Sequence, residues 1–354
     1  MYKKFFMGIA AMAALTLVSC SSDDLNSLSD NSSKNEAISF DGYLGRSAVA
    51  VNGSRGSVLD NTTLPSKGFG VFGHYTSTET ENVAFGSNLF NNVKVTGTTS
   101  TGGTTWTYGP VKYWPSNGHI DFLAYAPHVE GKKLKDNTSC IDFTVEPKVA
   151  DQKDLLWANA KKQTIQTIAS TENKVKFHFA HALSRLGFTV KFKGESSTDA
   201  TITLKKITLA GSASATESTP GAFYTSGAID LAAGSWDKTT LNNKQNLDWF
   251  SGSQKVTSTS QSNTDFNTGY LFVIPQEFSG ANELYVIVEY DIKYNDITET
   301  MTNTVHHKLT QDFKQGKAYT INLTIGRPIE FDADVTPWVD GSNKNTDINI
   351  DSWE

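Results

Sequence analysis

Helical periodicity is almost absent from this chain. No segment beyond about ten residues carries apolar side chains at i, i+3, i+4 and i+7. Short runs rich in Val, Ile, Thr, Phe and Tyr recur instead, bounded by Gly, Asn, Ser and Asp clusters. Examples are KVKFHFA at 174–180, LGFTVKF at 186–192, ATITLKKITLA at 200–210, YLFVIP at 270–275 and ELYVIVEYDI at 283–292. In AYTINLTI at 318–325, Tyr319, Ile321, Leu323 and Ile325 fall on one face of a strand, with Thr320, Asn322 and Thr324 on the other. Many short strands with Gly-rich turns predict β-sandwiches and argue against a parallel α/β fold. The best helical stretch is short, DQKDLLWANA at 151–160.

A length of 354 residues suggests two domains. A division near residue 180 gives an N-terminal domain over 37–180 and a C-terminal domain over 181–354. No Pro-rich linker marks that point, so a continuing strand is expected to join them. A hydrophobic fraction of 38% and a charged fraction of 19% fit a folded chain rather than a disordered one. The net charge of −6 argues against a nucleic-acid partner, which would call for a basic face.

The first residues read as an address. Lys3 and Lys4 precede an apolar stretch from Phe5 to Val18, too short and wrongly flanked to remain as a membrane span. It ends in Leu17-Val18-Ser19-Cys20, which resembles a bacterial lipobox. That resemblance implies a signal peptide over 1–19 and a lipid, palmitate among its acyl chains, on Cys20. Several acyl chains on one residue give a stable anchor in the outer membrane. Residues 20–36 are Ser/Asp/Asn-rich and read as a flexible tether. Ser22-Asp23-Asp24 is similar to the surface-export signal of Bacteroidetes lipoproteins. The second cysteine, Cys140, reads as a small buried apolar residue, and two cysteines of such different context make no disulfide framework.

Several motifs invite chemistry and lack its context. Gly68-Phe-Gly70-Val-Phe-Gly73 matches a dinucleotide fingerprint, but GFGVFGHYT is itself strand-like and no helix follows. The glycines are better read as relieving crowding in a strand or marking a bulge. His178 and His181 would point to opposite faces of a strand, and with adjacent His306 and His307 they read as structural. Asp332 and Asp334 share a strand face and read as solvated. No metal site, cofactor or catalytic constellation is expected. Trp106, Tyr108, Tyr113 and Trp114 in WTYGPVKYWP read as sandwich core or as a sugar-stacking platform, which leaves Trp106 and Trp114 as possible ligand contacts.

An ordered set of strings resembles the fimbrillin family of the Bacteroidales, specifically the Mfa-like type V pilins and their accessory lipoproteins. The set comprises the lipobox, KGFGVFGHY, VKYWPSNGHIDFLAYAPH, DLLWA, KVKFHFAHALSRLGFTVKF, YLFVIPQEF, FKQGKAYTINLTIG and IEFDADVTPWVDG. The resemblance implies an all-β protein of two stacked β-sandwich (transthyretin-like, Greek-key) domains with few or no helices. It also implies a surface-exposed, outer-membrane location and assembly into a fimbria, with other pilin subunits as partners and no catalysis.

The residues suggest how such assembly would run. Near the start, AISFDGYLGR at 37–46 alternates, with Ile38, Phe40 and Leu44 on one face around Gly42. It ends at Arg46, and Arg55 follows in a Gly/Ser/Asn-rich stretch; the chain has only four arginines. In the family an arginine-specific protease cuts in such a loop, frees the first strand, and a C-terminal strand of a neighbour replaces it. Here that strand would come from 347–353, where Ile348 and Ile350 share a face. Two alternatives stand beside a stalk subunit: a monomeric surface lipoprotein that binds glycan or host ligand, and a tip or anchor pilin.

Overall fold

The structure, a computed structural model, describes residues 36–44, 58–77, 85–193, 200–215, 221–279, 282–326 and 331–338. Strands are the dominant element among those residues, with only short helical turns between them, as the alternation predicts. A seven-stranded sheet holds β1 (Phe40–Leu44), β2 (Phe69–Thr76), β3 (Phe90–Ser100), β4 (Gly103–Thr107), β5 (His119–Ala126), β7 (Leu156–Gln163) and β8 (Val175–His181). Their order is β1-β8-β7-β5-β2-β3-β4, and the end strands β1 and β4 approach each other, so the sheet nearly closes into a barrel. Neighbours are antiparallel except β1 on β8, which is parallel.

The later residues form a sandwich. One sheet runs β13 (Leu247–Val256), β10 (Ala200–Ala210), β16 (Leu284–Tyr294) and β17 (Met301–Leu309). The other runs β14 (Gln261–Ser262), β9 (Ser184–Phe192), β18 (Ala318–Ile325) and β19 (Phe331–Trp338), with β15 (Leu271–Val273) also on β9. Alternation along β18 buries Tyr319, Ile321, Leu323 and Ile325 between the sheets, the face the sequence assigns to the core. A third sheet crosses the midpoint of the sequence: β6 (Cys140–Thr144) pairs with β11 (Phe223–Asp230), which pairs with β12 (Ser235–Gln245).

Three apolar clusters follow. One draws only on residues 38–179, and one on 186–335 together with Val149. The third combines Phe72, Leu123, Tyr125 and Ile141 with Leu183, Ile229, Phe272 and Ile274. Between β8 and β9 lie only Ala182 and Leu183, both buried.

The helical expectation at 151–160 is wrong. A single 3-10 turn, Val149–Asp151, is followed by β7. Leu156 and Ala158 are buried at a spacing of two, and the short apolar run LLWA fits a strand covered on both sides as well as a helix turn. Among the described residues the two four-residue helices lie elsewhere, α1 (Leu64–Lys67) and α2 (Ile165–Ile168). α2 opens with a reciprocal Thr164–Thr167 capping box.

Glycines in β2 do what the strand reading assigns to them. A Cβ at Gly70 would lie 2.4 Å from the Tyr125 ring, and one at Gly73 2.7 Å from Phe90. The strand can cross these rings only because it lacks side chains there. Among the described residues no helix opens after it.

Candidate functional site

The alternating residues at the start of the described chain lie in the core of the near-barrel. Ile38, Phe40 and Leu44 are 1%, 3% and 4% exposed. The Phe40 ring sits among those of Phe90, Tyr108, Phe122 and Phe177, with centroids 5.3–5.7 Å away. Gly42 occupies a constriction, where a Cβ would meet Phe69 at 3.0 Å and Phe179 at 3.1 Å. On the outer face Ser39 and Asp41 are partly exposed, and the Tyr43 ring lies tilted against that of His178, 4.4 Å between centroids. The Tyr43 hydroxyl lies 2.7 Å from a ring nitrogen of that histidine.

Main-chain bonds hold this segment on two sides. Along β8 the parallel register pairs Phe40 with Val175, Gly42 with Phe177 and Leu44 with Phe179. Val175 N donates to Ser39 O at 2.9 Å. Opposite, the segment after β4 supplies a second rail. Ile38 N donates to Lys112 O at 2.8 Å, and Trp114 N donates to Glu36 O at 3.0 Å. The Tyr108 hydroxyl donates to Ile38 O at 2.7 Å. Burial raises the Tyr108 phenol above its ordinary value, so it stays a donor at neutral pH. At the far end the Asn61 side chain accepts from Leu44 N at 2.8 Å and donates to Leu44 O at 3.3 Å.

Sequence reasoning picked out Ile38, Phe40 and Leu44, and these three share the slot. It missed Asn61 and the rail at 108–114, because contacts of β1 with those residues are remote along the chain. The aromatic run WTYGPVKYWP was visible, and part of its work is to clamp β1. Trp114 is 7% exposed and packs on Phe122, while Trp106 leans on Phe69 at 5.0 Å. Both indoles pack on the core around the slot. Cys20, Arg46, Arg55, Ile348 and Ile350 lie outside the described residues.

The other chemistry-bearing residues are structural in their surroundings. His181 Nδ1 stands 2.8 Å from the buried Asp154 carboxylate, which also accepts from Leu59 N. His306 lies against Tyr285. Asn322 donates to Asp334 across β18 and β19 at 3.3 Å. Cys140 is half-buried at the start of β6, and burial pushes its thiol above the usual value. Among the described residues no group of three His, Cys, Asp or Glu side chains could hold a metal.

The model of a family described as fimbrillin-like matches residues 57–338, most of the chain. This chain belongs to the fimbrillin-like family. Its members are structural proteins of fimbriae, not enzymes, and membership places the chain on the outer-membrane surface among pilin subunits of a polymeric assembly. A fimbrial protein of Bacteroides vulgatus shares the fold at a TM-score of 0.62, with 21% identity over 85% of this chain and 98% of that one. A candidate cell-adhesion protein of Bacteroides uniformis is similar at a TM-score of 0.47, 16% identity, 85% of this chain and 98% of that one. The fimbrial anchor protein Mfa2 of Porphyromonas gingivalis gives 0.37, 10%, 86% and 97%. No curated protein sequence matches the chain.

Proposed function

We propose that this chain is a stalk subunit of a cell-surface fimbria, exported as an outer-membrane lipoprotein and polymerised by strand exchange. Residues 1–19 are removed and Cys20 carries the lipid. An arginine-specific protease cuts after Arg46 or Arg55, and the strand with Ile38, Phe40 and Leu44 leaves its slot. A C-terminal run from a neighbouring subunit, with Ile348 and Ile350, takes its place. The assembled fimbria serves adhesion.

One observation carries this reading: the first strand fills the core, yet its covalent link to the rest runs through 45–57, where both arginines lie. A cut there leaves β1 held by non-covalent contacts alone. Burying each of its three large side chains is worth roughly 1.5–3 kcal/mol. An empty slot is therefore strongly unfavourable, and a strand with the right side chains replaces the lost one. Head-to-tail donation does not close on itself and so grows a filament. The arginines favour a stalk over an anchor, which would keep its lipid and have no use for the cut. We divide the subunit into two sandwich domains near residue 180, a division supported by the separate clusters of 38–179 and 186–335.

Purified protein treated with an arginine-specific protease should lose its leading segment and form a detergent-resistant ladder. Replacing Arg46 and Arg55 together should abolish it. Protein that is cut and stays monomeric would sink the exchange reading and leave a tethered surface domain.

A further inference from the structure

The slot occupied by β1 has a side-chain pattern that a second stretch of the same chain repeats. Ile38-Ser39-Phe40-Asp41-Gly42-Tyr43-Leu44 reads, place by place, against Ile348-Asn349-Ile350-Asp351-Ser352-Trp353-Glu354. Apolar meets apolar at the first and third places, and a short polar residue meets its like at the second. The fourth place is aspartate in both. The fifth is small in both, and the sixth is aromatic in both.

Resting on the exchange reading above, we infer that residues 348–353 of one copy enter the slot of the next in a single register and direction. Ile348 takes the place of Ile38, Ile350 that of Phe40, Ser352 that of Gly42 and Trp353 that of Tyr43. The incoming strand then runs parallel to β8, as β1 does.

The slot itself selects this register. A shift by one residue would turn Asn349 and Asp351 into the ring of Phe90, Phe122 and Phe177. The constriction is sharper still. A Cβ at the Gly42 place comes within 3.0–3.1 Å of two phenylalanine rings, which a serine meets with a few tenths of an ångström of movement and a larger side chain does not. On the outer face Asp351 comes beside Lys176, the register partner of Asp41. Trp353 comes over His178, where its indole replaces the Tyr43 ring and its N–H can donate to the imidazole. Reversal fails on the same grounds. With the two isoleucines in the two apolar places but the strand running backwards, β-branched Thr346 meets the constriction and Asn345 meets His178. The seventh place alone differs, because Glu354 stands where Leu44 fills an apolar pocket.

Disulfide trapping tests this in full-length protein with Cys140→Ser. Parallel register partners lie within disulfide reach, and His178 is exposed to oxidant. His178→Cys with Trp353→Cys should give an interchain disulfide in protease-treated protein, identified by mass spectrometry of the joined peptides. Lys176→Cys with Asp351→Cys should do the same. Asn345→Cys with His178→Cys reports the reversed strand and should stay unlinked. A ladder in which only the Asn345 pair links, or in which Trp353 is captured at 174 or 176 instead, overturns the register and leaves strand exchange standing. No ladder from any variant, with the Arg-site cut complete, overturns both. Two further variants need no thiols. Ser352→Phe should abolish the ladder, whereas Ile350→Phe, restoring the ring that the slot holds in the free subunit, should raise the temperature at which the ladder dissociates. A ladder from Ser352→Phe equal to that of the parent overturns the register.

Discussion

Phe40 touches four aromatic rings from four separate stretches of chain, and three of them belong to strands β3, β5 and β8. Truncating it leaves a hole that rigid neighbours cannot close. Phe40→Ala should therefore cost about 3–5 kcal/mol in urea unfolding of the uncleaved protein. The same change should speed loss of the leading segment after protease treatment. Tyr125 gives a second prediction. Its hydroxyl donates toward Asn92 at 2.7 Å and Val129 O at 3.0 Å, and burial pushes its pKa up to about 12 from 10.0. In the unfolded chain the phenol ionises first. Stability from this group is complete below pH 10 and is lost as the pH rises to 12. Alkaline unfolding followed by circular dichroism should steepen in that window, and Tyr125→Phe should flatten it while lowering stability at neutral pH.

Among elements, β1 depends on partners remote in sequence: a parallel neighbour and a rail beyond β4. Protein lacking residues through Leu44 should keep its strand content, bind an apolar dye and aggregate. A peptide with the sequence of 347–354 should suppress both; a reversed-sequence peptide should not. Much at this scale was legible in the sequence. β16 and β18 are readable because alternation over eight or more residues admits one face for the core. Legibility failed where local signals conflict or contacts are remote. The LLWA run of β7 fits either period. In β10 the adjacent Lys205 and Lys206 break the alternation, and a bulge there brings Ile207 and Leu209 back to the face of Ile202 and Leu204. That the Ile38–Leu44 face would be buried follows from its pattern. That Tyr108 and Lys112, more than 60 residues away, or Asn61, 17 residues away, would hold it does not, since pairing at such separations leaves no periodic trace.

For the whole molecule, the slot belongs to one cluster. Its lining comes from residues 38–179, whereas β9, β10, β16 and β18 pack into another. Loss of β1 should therefore be felt unevenly. Hydrogen exchange in protein treated with an arginine-specific protease and stripped of its leading segment should rise along β8 and the 108–114 segment. It should stay unchanged in β10, β16 and β18. Uniform acceleration would mean that the clusters unfold as one.

The strand pairing of β6 with β11 has a mechanical consequence. A fimbrial subunit under tension is pulled along its length, and a link of two residues between β8 and β9 would by itself behave as a swivel. The ladder from Cys140–Asp230 to Thr144–Ser226 bypasses that swivel with a five-residue brace. Load passing between the halves is shared over several hydrogen bonds stretched together, so the subunit should yield abruptly at high force and scarcely bend below it.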